Sequence, residues 1–80
     1  MSRFFFHIEH NAELIIDDEG MDLPNLDSAK MEAELSALDC AAECLRDGKP
    51  VDGRRIIVQD ASGKTLMECA IKDVVARLAH

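Results

Sequence analysis

The stretch Leu26–Arg46, LDSAKMEAELSALDCAAECLR, constrains the fold more than any other part of the chain. Met31, Leu35, Leu38, Ala42 and Leu45 follow one another at steps of four and three, which places them on one narrow face of an α-helix. The positions between them are mostly Ala, Glu, Leu, Lys and Arg, all strong helix formers. Asp27 is the expected N-cap, its carboxylate accepting from free amides of the first turn. Leu26 and Met31 fit a hydrophobic staple. Gly48 supplies the expected C-terminal stop, and Pro50 bars continuation.

The same stretch carries a second stripe of small residues: Ala29, Ala33, Ala37, Cys40 and Cys44. At ~100° per residue these lie roughly opposite the first. The Met31–Leu45 stripe is expected to be the ordinary core face. The small stripe has two readings. Alanine is frequent on exposed helices through propensity alone. Alternatively, small residues let another element approach closely, either the C-terminal helix of the same chain or a second copy. Two free cysteines, which pack as small hydrophobes, favour cover.

Around this helix the chain reads as two hairpins. Residues 3–9, RFFFHIE, alternate as a strand with Phe4, Phe6 and Ile8 toward the core and Phe5 and His7 on the opposite face. His10-Asn11-Ala12 is the expected loop, with Asn11 left-handed. Glu13–Asp17 returns, Leu14 and Ile16 on one face and Ile15 on the other. Asp17-Asp18-Glu19-Gly20 is a turn, and Met21–Pro24 an extended connection. After the helix, Arg54–Asp60 is a strand with Ile56 and Val58 on one face and Arg55, Ile57 and Gln59 on the other. Asp60-Ala61-Ser62-Gly63 is a hairpin turn. Lys64–Ala70 is the fourth strand, and Ile71–Ala79 a short helix.

The expected fold is α+β, in the order β-β-α-β-β-α. It is one domain over residues 1–80, with a four-stranded antiparallel sheet of spatial order 2-1-3-4 and the long helix across one face. A helix only ~10 Å wide cannot shield both sides of a sheet. The face holding Phe5, His7, Ile57 and Ile15 therefore needs the last helix or a partner over it.

Eighty residues with 48% hydrophobic content bury a modest core, so help from oligomerisation is expected. Three cysteines without a secreted spacing, no signal peptide and no apolar run of ~18 residues point to a cytoplasmic protein with reduced thiols and no membrane insertion. The net charge of −7 is uneven: residues 1–52 hold 4 basic and 13 acidic side chains (−9), residues 53–80 hold 5 basic and 3 acidic (+2). An acidic chain repels phosphate backbones, which disfavours nucleic acid as a partner.

The opening Arg3-Phe4-Phe5-Phe6-His7 is one of several recurrent features. The others are Asp17-Asp18-Glu19-Gly20 with Leu23-Pro24, the alanine- and glutamate-rich helix, and Ile56-x-Val58-x-Asp60-x-x-Gly63. Together they resemble a family of small bacterial proteins known only as a domain of unknown function. The resemblance covers nearly the whole chain and implies a small α+β fold. It brings no activity, cofactor or catalytic residue.

Chemistry finds little support. Cys40 and Cys44 at i, i+4 could share a zinc ion with His7 and His10, but no CxxC pair is present, and packing cysteines are the expected reading. Cys69 reads as core. Asp17, Asp18, Glu19 and Asp22 do not follow the alternate spacing of a calcium loop. Ser28, Ser36 and Ser62 lack a nucleophile context, and the glycines punctuate turns rather than cradle phosphate. No catalytic residue, metal or cofactor is expected. The expected function is a non-enzymatic module that self-associates as a homodimer. Phe5, His7 and Ile57 form one candidate interface, and Ala33, Ala37, Cys40 and Cys44 the competing one. An unidentified protein partner is a further possibility. The alternative is a regulatory protein that binds nucleic acid or a partner through Arg54, Arg55, Lys64 and Arg77. A small metal protein or enzyme ranks last.

Overall fold

Alternating apolar residues near both ends and a 3.6-residue period between them build a two-layer α+β structure. The computed structural model describes residues 1–78; Ala79, the last position of the expected short helix, lies outside the described residues. The elements are β1 (Ser2–His10), β2 (Glu13–Ile15), β3 (Met21–Leu23), α1 (Leu26–Asp47), β4 (Arg54–Asp60), β5 (Thr65–Ala70) and α2 (Ile71–Leu78).

The sheet has five antiparallel strands along the path β2-β1-β4-β5, with β3 also paired to β1. The expected four-strand order is therefore present, and the connection read over Met21–Pro24 contributes an extra strand. β2 and β3 together form one interrupted return strand. Ile8 faces Ile15 and His10 faces Glu13, while Phe4 faces Met21 and Ser2 faces Leu23. Between them the chain leaves the sheet edge through Ile16–Gly20. β1 pairs β4 along its length, from Phe4 opposite Asp60 to His10 opposite Arg54.

Both hairpin turns carry their conformational signature. Asn11 and Ala12 sit at φ 50° and 69°, both left-handed, so the first loop is two residues long rather than three. In the second, Asp60 Oδ1 accepts from Ser62 N at 2.9 Å and Lys64 N at 3.1 Å. A bulge between Val58 and Gln59 lets Leu66 and Met67 both reach the core.

Helix α1 starts two residues earlier than an N-cap at Asp27 would place it. Asn25 is the N-cap, its side-chain oxygen accepting from Ser28 N at 2.9 Å, and Asp27 lies in the first turn, where its charge suits the helix dipole. Leu26 and Met31 are exposed and form no staple over the core. At the other end Gly48, at φ 67°, closes a Schellman motif: Gly48 N donates to Leu45 O at 3.3 Å and Lys49 N to Cys44 O at 2.8 Å.

The helix faces the sheet with its small stripe, the reverse of the expected orientation. Ala29, Ala33, Ala37, Ala41 and Cys44 are buried, whereas Met31, Leu35, Leu38 and Leu45 are 67%, 55%, 38% and 82% exposed. The reason is volume. The sheet already fills the interlayer space with Phe4, Ile56 and Val58, with Phe6, Ile8, Met67 and Cys69 around them, and α2 adds Ile71 and Val74. Only small residues let the helix backbone come down onto that surface. The resulting body is thin, 17 Å in its shortest Cα extent, which is room for one sheet and one helix layer. Helix α2 lies beside α1 and against β4 and β5, so both helices cover the same side, and among the described residues no helix lies over the other sheet face.

Candidate functional site

Two surfaces stand out, one on each side of the molecule. On the bare sheet face, strand alternation and register bring Phe5, His7 and Ile57 together as expected: His7 faces Ile57 and Phe5 faces Gln59 across β1 and β4. Leu14 joins them opposite Glu9, while Ile15 points to the helix side, so Leu14 takes the place expected of Ile15. This face is less apolar than its hydrophobic residues suggest. Arg55 lies between Glu9, at 3.8 Å, and Glu68, with which it forms an ion pair beside Ile57.

His7 is only 7% exposed and fully engaged. Asp17 N donates to its Nδ1 at 3.0 Å, which leaves the ring proton on Nε2 to donate to Gln59 Oε1 at 3.1 Å. Gln59 Nε2 in turn donates to Thr65 Oγ1 at 3.2 Å. The chain of bonds ties the excursion between β2 and β3 to β4 and β5. The Phe5 ring stacks on His7, centroids 6.4 Å apart.

Asp17 completes the arrangement. Where the return strand leaves β1, the Phe6 amide loses its ladder partner, and Asp17 Oδ2 accepts from it at 3.1 Å. Asp17 Oδ1 accepts from Gly20 N at 3.1 Å and Glu19 N at 3.3 Å. Burial pushes this carboxyl upward, but the three amide bonds outweigh it and hold it below the usual carboxylate range. Gly20 is required where it sits: at φ 70°, an added Cβ would lie 2.8 Å from Phe4 O. Arg3 clamps the same excursion through Glu19 O and through Asp22 Oδ2 at 3.1 Å.

These bonds decide the acidic turn and the cysteines. Asp17 and Asp22 are committed to amides and to Arg3, so the turn offers no converging oxygens. Cys44 is buried and Cys40 half-buried on the helix side of the sheet, while His7 lies on the other side, so the zinc set is not brought together. Among the described residues no three His, Cys, Asp or Glu side chains gather as a metal ion requires, and no pocket is enclosed. Burial pushes the Cys40 thiol up, its neighbour Cys44 adds to this, and the Arg54 guanidinium counters only in part. A thiol in that state is a poor nucleophile.

The basic residues of the C-terminal third are dispersed. Arg54 is half-buried on the helix side beside Cys40, with its Nε buried and unpartnered. Arg55 is on the opposite face, Arg77 pairs with Glu34 at 3.0 Å, and Lys64 closes a turn. They form no continuous track for a phosphate backbone.

The second surface is the outer face of α1. Ala33, Ala37 and Cys44, expected as a competing interface, are core residues and unavailable to a partner; Cys40 is half-buried against the same core. The exposed apolar stripe is instead Met31, Leu35, Leu38, Ala42 and Leu45, the set expected inside. Its spacing of four and three is that of a helix–helix seam, and it runs over about 20 Å of a helix already formed and capped. A smaller apolar strip lies on the sheet edge at Leu14, Ile15 and Ile16. Among the described residues no helix is long and apolar enough to cross a membrane.

Comparison with known proteins matches residues 3–72 to a family described as Domain of unknown function (DUF6894). No curated protein and no solved structure matches the chain.

Proposed function

The chain belongs to the DUF6894 family, and from that premise we propose that it is a non-enzymatic cytoplasmic module that associates with a second copy of itself through the outer face of α1. The observation that carries this reading is the exposed Met31-Leu35-Leu38-Leu45 stripe. Four large apolar side chains, at steps of four and three with Ala42 between the last two, on a helix whose other face is already satisfied, are unusual on a monomeric surface. Burying them in a second helix removes that area from water at no cost in forming the helix. A domain of 80 residues gains in stability from such an assembly.

The sheet face supports the reading by being otherwise employed. His7, Gln59 and Asp17 use their polar atoms to hold the fold, and Glu9, Arg55 and Glu68 wet the area around Ile57. The contact expected there is thereby weakened relative to the helix.

Sedimentation equilibrium tests it. At ~100 μM the wild-type chain is expected to be a dimer, and Leu35→Asp a folded monomer. A monomeric wild type at that concentration overturns the reading.

A further inference from the structure

We infer that the two copies pair their α1 helices antiparallel, with Glu32 of each meeting Arg46 of the other; this rests on the self-association just proposed. The stripe assigns every flanking residue a side. On one flank of the seam lie Glu32, Asp39 and Arg46; on the other lie Asp27, Glu34 and Ala41. Ala41 is buried in the monomer, and Glu34 is held by Arg77 of α2, so the second flank is acidic at its start and neutral further on. The first flank changes sign along its length, from Glu32 in the second turn to Arg46 in the last.

That sign change is self-complementary in one orientation only. In an antiparallel pair each flank faces its own copy reversed. Glu32 then meets Arg46 of the second copy, twice by symmetry, while on the other flank Ala41 meets its own copy and Glu34 lies across from the uncharged Gly48. Asp39 approaches its own copy near the two-fold axis, a single like-charge contact. In a parallel pair each flank faces the other flank five residues on. That brings Asp27 to Glu32 and Glu34 to Asp39, each twice, and leaves Arg46 opposite Ala41 with no acid to meet. Like charges across a seam are unfavourable, and both parallel pairs are of that kind. Ala42, next after Leu38 in the stripe, also lets the two backbones approach closely near the axis.

Sedimentation equilibrium at low ionic strength, with circular dichroism to confirm folding, distinguishes the orientations. Glu32→Arg sets Arg against Arg46 and is expected to raise the dimer Kd about tenfold, since two exposed pairs change from attraction to repulsion. Arg46→Glu is expected to do the same, and the double variant Glu32→Arg/Arg46→Glu to return the Kd to within about threefold of wild type. A tighter dimer with Glu32→Arg, as parallel pairing requires, overturns the antiparallel arrangement while leaving self-association standing. So does a Kd indifferent to both single swaps. A wild-type monomer, or a dimer that survives Leu35→Asp because it is built on the Leu14–Ile16 edge, overturns the underlying reading and this one with it.

Discussion

The carboxylate of Asp17 takes three main-chain amides, from Phe6, Glu19 and Gly20, while its own N–H holds His7 in one tautomer. Removing it strands the Phe6 amide at the point where the return strand has left. Asp17→Ala is expected to destabilise the fold by about 2–3 kcal/mol and Asp17→Asn, which keeps an acceptor oxygen, by about 1–2 kcal/mol, measured by urea unfolding at pH 7. The pH dependence has a fixed sign. This carboxyl titrates lower in the folded chain than in the unfolded one. Its stabilising effect is therefore complete above the unfolded value of about 4 and is lost as pH falls through the lower folded value. The gap between wild type and Asp17→Asn should narrow as pH falls below about 4; a gap that stays constant would show that the charge contributes nothing. None of this is legible in the sequence, where Asp17 is one of three acids in a solvated turn. The signal lies in a backbone amide left without a partner, which appears only once the strands are paired. The same holds for Ala12: Asn-Ala is a weak hairpin signal, and a left-handed alanine is accepted only because His10 and Glu13 close the loop.

Helix α1 was legible in its position and its glycine stop, because period, propensity and cap chemistry agree there. Its orientation was not. Summed hydrophobicity ranks the Met31–Leu45 face above the alanine face, but burial is decided by what volume remains above the sheet. That volume depends on Phe4, Phe6, Ile8, Ile56 and Val58, residues remote in sequence from the helix. The continuous run Ala29, Ala33, Ala37 and Ala41, at steps of four, was the available clue to close approach. Two substitutions separate the faces. Ala37→Leu overfills the interlayer space and is expected to cost about 2–3 kcal/mol. Leu35→Ala, on the exposed face, is expected to change the stability of dilute monomer by less than about 0.5 kcal/mol. Denaturant unfolding at low micromolar concentration measures both, and the opposite order would mean that the helix is turned the other way. The strand pairing of the two hairpins was legible because period two and the Asp60–Gly63 turn leave one register; β3 was not, being three residues long and dependent on β1 for its bonds.

At the scale of the whole molecule the distribution of layers governs behaviour. Both helices lie on one side of a single sheet, the other side is partly polar, and the most apolar exposed surface is on the outside of the helical layer. Association through that surface links stability to concentration. Raising the chain from ~10 to ~100 μM should raise the thermal midpoint by about 3 °C, and Leu35→Asp should abolish the dependence. Scanning calorimetry at the two concentrations reads it directly; a midpoint independent of concentration would leave the wild type monomeric throughout. The α+β class follows from the hairpins and helix count, and helix width shows that α1 alone leaves one sheet face open. The side chosen by α2 does not, since Ile71 and Val74 could pack on either face until α1 leaves room beside it.

The pairing of β1 with β4 also sets an order of events during synthesis. β1 is made before every other strand of the sheet, yet it lies between the return strand and β4, and its longest partner, Arg54–Asp60, is made more than forty residues later. Until β4 emerges, one whole edge of Arg3–His10, with its three phenylalanines, has no strand to bond. Nascent chains stopped before Arg54 should remain fully sensitive to protease, and those that extend past Ala70 should become resistant in one step. The chain must thus keep its stickiest strand waiting, and the acidic residues that crowd its first two-thirds keep it soluble during that interval.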